Sequence, residues 1–160
     1  MRTVDRNKKP FYYRIYAGQI REKDEYGDYT GEKNVIYADP IRLKGNISAA
    51  TGNADLEHFG TGVAYDKTVI LQGTDYAITE TTVLYVDVLP VIQTSDEEID
   101  PEKTYYTFLN GEVEKVESPT QEDIESYYEM NEDYDYIVTK VATSLNYTAL
   151  AISQVRHQKA

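Results

Sequence analysis

Between Ile41 and Ala49 the side chains alternate with a period of two: Ile41, Leu43, Gly45 and Ile47 on one side, Arg42, Lys44, Asn46 and Ser48 on the other. Successive Cβ atoms of an extended chain point to opposite faces, so this stretch predicts a strand with one apolar face. A second alternation runs from Asp135 to Ser144, with Tyr136, Val138 and Lys140 opposite Ile137, Thr139 and Val141. Extended runs also occupy Phe11 to Ala17, Gln19 to Lys23, Asn34 to Ala38, Asp66 to Gln72 and Thr81 to Leu89. Breaks separate them at Asp24-Glu25-Tyr26-Gly27-Asp28, Thr30-Gly31, Asp39-Pro40, Gly73 and Pro90. Tyr147 to Arg156 follows a turn at Leu145-Asn146; Leu150, Ala151, Ile152 and Val155 would also suit a helix, but β-branched content and the neighbouring strand favour a terminal hairpin. Sixteen Tyr, three Phe and no Trp fit half-buried sheet surfaces, where a ring packs and its hydroxyl reaches water or a partner. The expectation is an all-β chain, a small β-barrel or sandwich of six to eight short strands, and 160 residues suffice to bury its core.

Charge is confined to one segment. Of the 28 acidic residues, 15 lie from Asp96 to Asp135 beside only Lys103 and Lys115, a local charge of −13; the remainder carries +1. The segment reads as an acidic insertion in a near-neutral body, a concentrated field that repels phosphate and steers partners. Within it, Thr104 to Leu109 and Glu112 to Val116 flank Asn110-Gly111, the strongest short-range hairpin signal. Thr120, with Asp123 three positions on, predicts a capped helix start, and Ile124, Tyr127 and Tyr128 follow at helical spacing. A partly ordered β-hairpin and helix insertion is expected.

Chemistry-bearing patterns are sparse. Without cysteine there is no disulfide, thiolate or Cys-ligated metal. His58 and His157 are isolated and lack zinc-ligand spacing. Asp96, Glu97, Glu98 and Asp100 supply hard oxygen donors but neither the EF-hand spacing nor its glycine, and acids this dense do not single out a catalytic pair. No phosphate loop, dinucleotide fingerprint or nucleophile elbow occurs, so no cofactor and no enzymatic activity are expected. No secretory leader and no eighteen-residue apolar span are read, which predicts a soluble chain, intracellular at synthesis. From Ala50 to Ala64, Gly52, Gly60 and Gly62 punctuate a long loop. Arg2, Arg6, Lys8 and Lys9 at one end and Arg156, His157 and Lys159 at the other form small basic ends, either solvated tails or contacts to an acidic neighbour.

A resemblance adds to this. Lys9-Pro10-Phe11-Tyr12-Tyr13 with Tyr16-Ala17-Gly18, the Asp24-Glu25-Tyr26-Gly27 turn, Tyr29-Thr30-Gly31 and Leu43-Lys44-Gly45-Asn46-Ile47-Ser48-Ala49-Ala50 form one part of it. Phe59-Gly60 ahead of Tyr65-Asp66-Lys67, Val86-Asp87-Val88-Leu89-Pro90, Asp135-Tyr136-Ile137-Val138, Val141-Ala142-Thr143-Ser144-Leu145-Asn146 and Ala151-Ile152-Ser153 form the rest. In that order, over most of residues 6–90 and 135–155, the chain resembles the head-closure proteins of tailed phages, also called stopper or head-tail connector proteins. The resemblance implies a small β-barrel assembled as a ring of six or twelve copies in the virion neck. Portal and adaptor would lie above it and a tail protein below, with assembly in the host cytoplasm. The ring would retain packaged DNA, which threads its channel without sequence-specific binding, and would offer the tail its docking surface. Gly52, Asn53, Asp55, Glu57, His58, Phe59, Gly60 and Gly62 would form the channel or inter-ring loop, Tyr12, Tyr13 and Tyr16 would serve barrel and subunit packing, and the basic ends would contact neighbouring subunits. The family runs from Leu-Pro to the Asp-Tyr-Ile-Val strand over a much shorter link, which leaves 91–134 unassigned as an acidic insertion. Around it stand a basic arm (1–10), the barrel core (11–90 and 135–156) and a tail (157–160). Self-repulsion among stacked copies favours placing the insertion outside the channel. Two alternatives stand: a tail-completion or tail-terminator ring protein, and a β-sandwich carbohydrate-binding module with a Tyr-rich ligand face.

Overall fold

The structure, a computed structural model, describes residues 8–49 and 65–155. In chain order its strands are β1 (Lys9–Arg14), β2 (Tyr16–Lys23), β3 (Tyr29–Tyr37), β4 (Ile41–Ala49), β5 (Lys67–Gln72) and β6 (Val83–Tyr85), then β7 (Val91–Gln93), β8 (Tyr106–Leu109), β9 (Glu112–Lys115), β10 (Tyr128–Met130), β11 (Tyr136–Thr143) and β12 (Tyr147–Gln154). Six of them close into an antiparallel barrel in the order β1-β4-β5-β12-β11-β6, with β6 pairing back onto β1. The small all-β barrel expected from the alternation is therefore present.

Period-two patterning sorts the barrel residues. Phe11, Tyr13, Val69, Leu71, Leu84, Tyr136, Val138, Leu150 and Ile152 fill the interior, and Leu43 and Ile47 of β4 pack against them. Each fully buried aliphatic chain contributes about 1.5–3 kcal/mol. Gly45 is the narrow point of that face: a Cβ there would meet Leu71 Cδ2 at 2.9 Å and Val69 Cγ1 at 3.0 Å. Ile41, the fourth apolar position, stays exposed instead. The predicted strict alternation of β11 also breaks, because its register against β12 shifts between Val138 and Lys140. That bulge puts Val141, rather than Lys140, on the core side after Tyr136 and Val138, and Thr139 Oγ1 donates to the Ala151 carbonyl at 3.1 Å.

Two appendages leave the barrel. β2 and β3 pair only with each other, as a two-stranded arm rather than barrel wall. Its turn forms as expected, with Asp24 Oδ1 accepting from the amides of Tyr26 and Asp28 and Gly27 at φ +83°. The Thr30-Gly31 break is instead a bulge within β3, Gly31 taking φ +88° between the Lys23–Tyr29 and Arg21–Lys33 pairs. The second appendage is a four-stranded sheet, β7-β10-β8-β9. Its β8–β9 hairpin turns at Asn110 (φ +53°) and Gly111 (φ +80°), as Asn-Gly predicts. The expected helix is a short 3-10 helix, Gln121–Ser126: Thr120 makes no side-chain bond to a helix amide, and its hydroxyl donates to the Asp123 carboxylate at 2.8 Å. Tyr105, Ile124 and Tyr127 bury against one another on one side of this sheet, so it carries a small core of its own.

Candidate interaction surface

The acidic sheet sits on a seat of outward-facing tyrosines. Because Phe11, Tyr13 and Leu84 point into the barrel, their neighbours Tyr12 and Tyr85, register partners across β1 and β6, point out. Tyr12 donates its hydroxyl to the Gly111 carbonyl and packs its ring 6.3 Å from Phe108; Tyr85 donates to the Asn131 carbonyl at 2.6 Å. Arg14, 7% exposed, ties barrel, arm and insertion together. Its Nε donates to the Ala38 carbonyl at 2.9 Å, Nη2 to the Tyr37 carbonyl at 3.2 Å, and Nη1 to Tyr85 Oη at 3.3 Å and the Glu132 carboxylate at 3.4 Å. Tyr106 Oη donates to Asp39 at 3.2 Å, Tyr37 lies edge-on to Tyr134 at 6.0 Å, and Asp135 accepts from the amides of Val86 and Asp87 at 2.8 and 2.7 Å.

This junction suppresses ionisation of its phenols. Burial, then the neighbouring Tyr134, pushes Tyr37 up to about 12; burial, then the Asp39 charge, does the same to Tyr106. Burial raises Tyr85 as well, against the opposing pull of Arg14. A crevice of about 410 Å3 opens beside Arg14, Tyr106 and Glu132 on one side and Lys103 and Glu129 on the other. Its charges are already engaged: Lys103 pairs with Asp96 at 2.9 Å and Glu129 at 3.2 Å, and Glu129 also accepts from Thr94 Oγ1 at 2.7 Å. Hydrogen bonding to Asp96 holds the Lys103 ammonium well above its ordinary range, and the same bond lowers Asp96. The Lys103 pairs brace the insertion internally, and Arg14–Glu132 is the ion pair at this crevice that joins barrel to insertion. Among the described residues no group of three or more acidic or histidine side chains is placed to hold a metal ion, and no helix is long and apolar enough to cross a membrane.

The arm is the contrasting surface. Tyr16, Tyr26, Tyr29, Val35 and Ile36 leave large apolar areas in solvent, and Arg21 and Lys23 both lie over the Tyr29 ring, at 5.3 and 5.1 Å. A lone two-stranded hairpin is marginal in water, so side chains of this kind mark an element suited to contact.

Of the residues singled out in the sequence, Gly52, Asn53, Asp55, Glu57, His58, Phe59, Gly60 and Gly62 lie outside the described residues, as do Arg2, Arg6, Arg156 and Lys159. Lys8 reaches Gln72 Oε1 of its own chain at 3.3 Å, and Lys9 pairs with Asp87 at 2.8 Å, beside a longer Lys67 contact at 3.5 Å. Tyr12 and Tyr13 are buried within the chain, one under the insertion and one in the barrel, so for these two packing is internal rather than between subunits. Tyr16, 42% exposed, stays available to a neighbour. Sequence reasoning missed Arg14, Tyr85 and Asp135; the signal for Arg14 was a lone cation inside the Phe11-Tyr12-Tyr13-Arg14-Ile15-Tyr16 run.

Fold and surfaces together define a closed β-barrel protein with two contact-bearing appendages. No protein-family model, curated protein or solved structure matches the chain.

Proposed function

We propose that this chain is a non-enzymatic structural subunit of the tailed-phage neck, a ring-forming head-closure protein that helps retain packaged DNA and gives the tail its docking surface. The observation that carries the reading is the architecture of the described residues: a closed barrel whose outward tyrosines and buried arginine serve to seat appendages, and whose exposed apolar side chains concentrate on a projecting arm. The ordered sequence resemblance to head-closure proteins supports it from the other side. In this reading the barrel forms the ring wall, residues 52–62 face the channel or the adjoining ring, and DNA passes without base recognition. Electron microscopy of virions and of a null mutant tests it. The protein is expected at the neck, and the mutant should yield filled heads that leak DNA and fail to join tails. Absence from the neck, or heads that stay full and join tails without it, would overturn the proposal.

A further inference from the structure

Register sorts the arm into two unlike faces. Opposite residues in an antiparallel pair share a face, so Gln19 and Val35 lie together, with Arg21 beside them and Lys23 opposite Tyr29. The shift between Tyr16 and Gly18 brings Tyr16, opposite Tyr37, to the same side. One face therefore combines Tyr16, Tyr29 (60% exposed) and Val35 with the cations of Arg21 and Lys23. Among the described residues, both cations stack on Tyr29 and neither forms an ion pair. The insertion sheet offers the complement. Phe108 faces the barrel through Tyr12, so its neighbour Leu109, 72% exposed, faces away, and the exposed Glu112 and Glu114 of the edge strand β9 share that outer side. An exposed leucine flanked by carboxylates matches, in charge and in character, an aromatic and aliphatic surface flanked by cations.

We propose that the arm of one copy docks on the outer face of the β8–β9 hairpin of a second copy, Arg21 and Lys23 meeting Glu112 and Glu114 around a Tyr29–Leu109 contact. Within one chain the arm touches the insertion at its root, where Tyr37 meets Tyr134, and its length of eight residues carries the basic face roughly 25 Å outward. Such a contact joins unlike surfaces, so repeated in one direction it builds a closed ring or an open filament, and exchanged reciprocally it closes a two-fold dimer. It names the partner surface within the ring proposed above and rests on that reading only in requiring a second copy.

Sedimentation velocity of the full chain tests the contact. Wild-type protein should associate at low salt and dissociate at high salt, because exposed charges are screened beyond about 10 Å at 0.1 M. Arg21→Glu with Lys23→Glu, or Glu112→Lys with Glu114→Lys, should each weaken self-association by about a hundredfold or more, as like charges are then opposed. An equal mixture of the two double variants should assemble again, since each presents what the other now needs; that rescue also shows both are folded. If wild type associates but neither charge reversal alters it, or the mixture fails to recover, the contact is overturned while a ring remains possible through other surfaces. A wild type that is monomeric at every concentration, or that associates only with a different protein, overturns the contact as well. Location at the neck is then judged separately in virions.

Discussion

At Gly45 the barrel wall is built around a missing methyl group. Leu71, Val69 and the Ile70 carbonyl crowd the space a Cβ would fill, at 2.9–3.1 Å, so Gly45→Ala should cost about 1–3 kcal/mol by overpacking, read as a lower urea midpoint at unchanged slope. Gly111 is constrained twice, by φ +80° and by Arg42 Nε, which lies 2.9 Å from a would-be Cβ. Arg14→Met should be the most damaging of these single changes. It removes the bonds to the part-buried carbonyls of Tyr37 and Ala38 and to the buried Tyr85 hydroxyl, at about 0.5–1.5 kcal/mol for each bond and up to about 3 where water cannot replace it. Lys9→Met, which removes a half-exposed pair with Asp87, should cost no more than about 1 kcal/mol; comparing the two denaturation midpoints checks the contrast. At this scale the sequence was legible where chemistry acts locally, as at Asn110-Gly111 and Asp24. Arg14 was not, because its partners stand 23, 24, 71 and 118 positions away.

Among the elements, legibility tracked length and pairing. The longer barrel strands β4, β11 and β12 declared themselves by alternation or β-branched content, whereas β7 and β10, three residues each, are too short to hold a period. Extended runs at 19–23 and 34–38 were recognisable, yet their partners were not, since a strand pattern specifies conformation and leaves the neighbour open. A hint existed: Gln19, Arg21 and Lys23 alternate along β2 as a polar row, unlike the apolar rows of the barrel strands. The predicted helix failed because the turn after Thr120 must bury Ile124 against Tyr105 and Tyr127 within six residues and then return to β10. Replacing residues 91–134 by a short linker should leave a folded but less stable barrel, with Tyr12 and Tyr85 newly in water. Thermal scans and binding of a hydrophobic dye should show the lower midpoint and the exposed surface.

For the molecule as a whole, alkaline pH is the sensitive axis. Tyr12, Tyr13, Tyr37, Tyr85 and Tyr106 all have pKa values raised from 10.0 chiefly by burial. A raised folded-state value means that unfolding is coupled to proton loss. The stability it contributes is complete below about 10 and drains away as pH climbs toward about 12, the value at Tyr37 and Tyr106. A late, cooperative part of the tyrosinate absorbance, from the buried phenols, should therefore coincide with the change in far-UV circular dichroism; ionisation of every phenol with the fold intact would contradict the packing at the seat. Hydrogen-bond closure around the barrel has a different consequence. Since β6 pairs back onto β1 over Tyr12–Arg14 and onto β11 over Tyr136 and Ile137, its three residues are the short stave that closes the wall. Because every barrel strand is paired on both sides over part of its length, the wall is a poor template for a further strand, and the arm and the outer face of the insertion can be rewritten while the barrel keeps its fold.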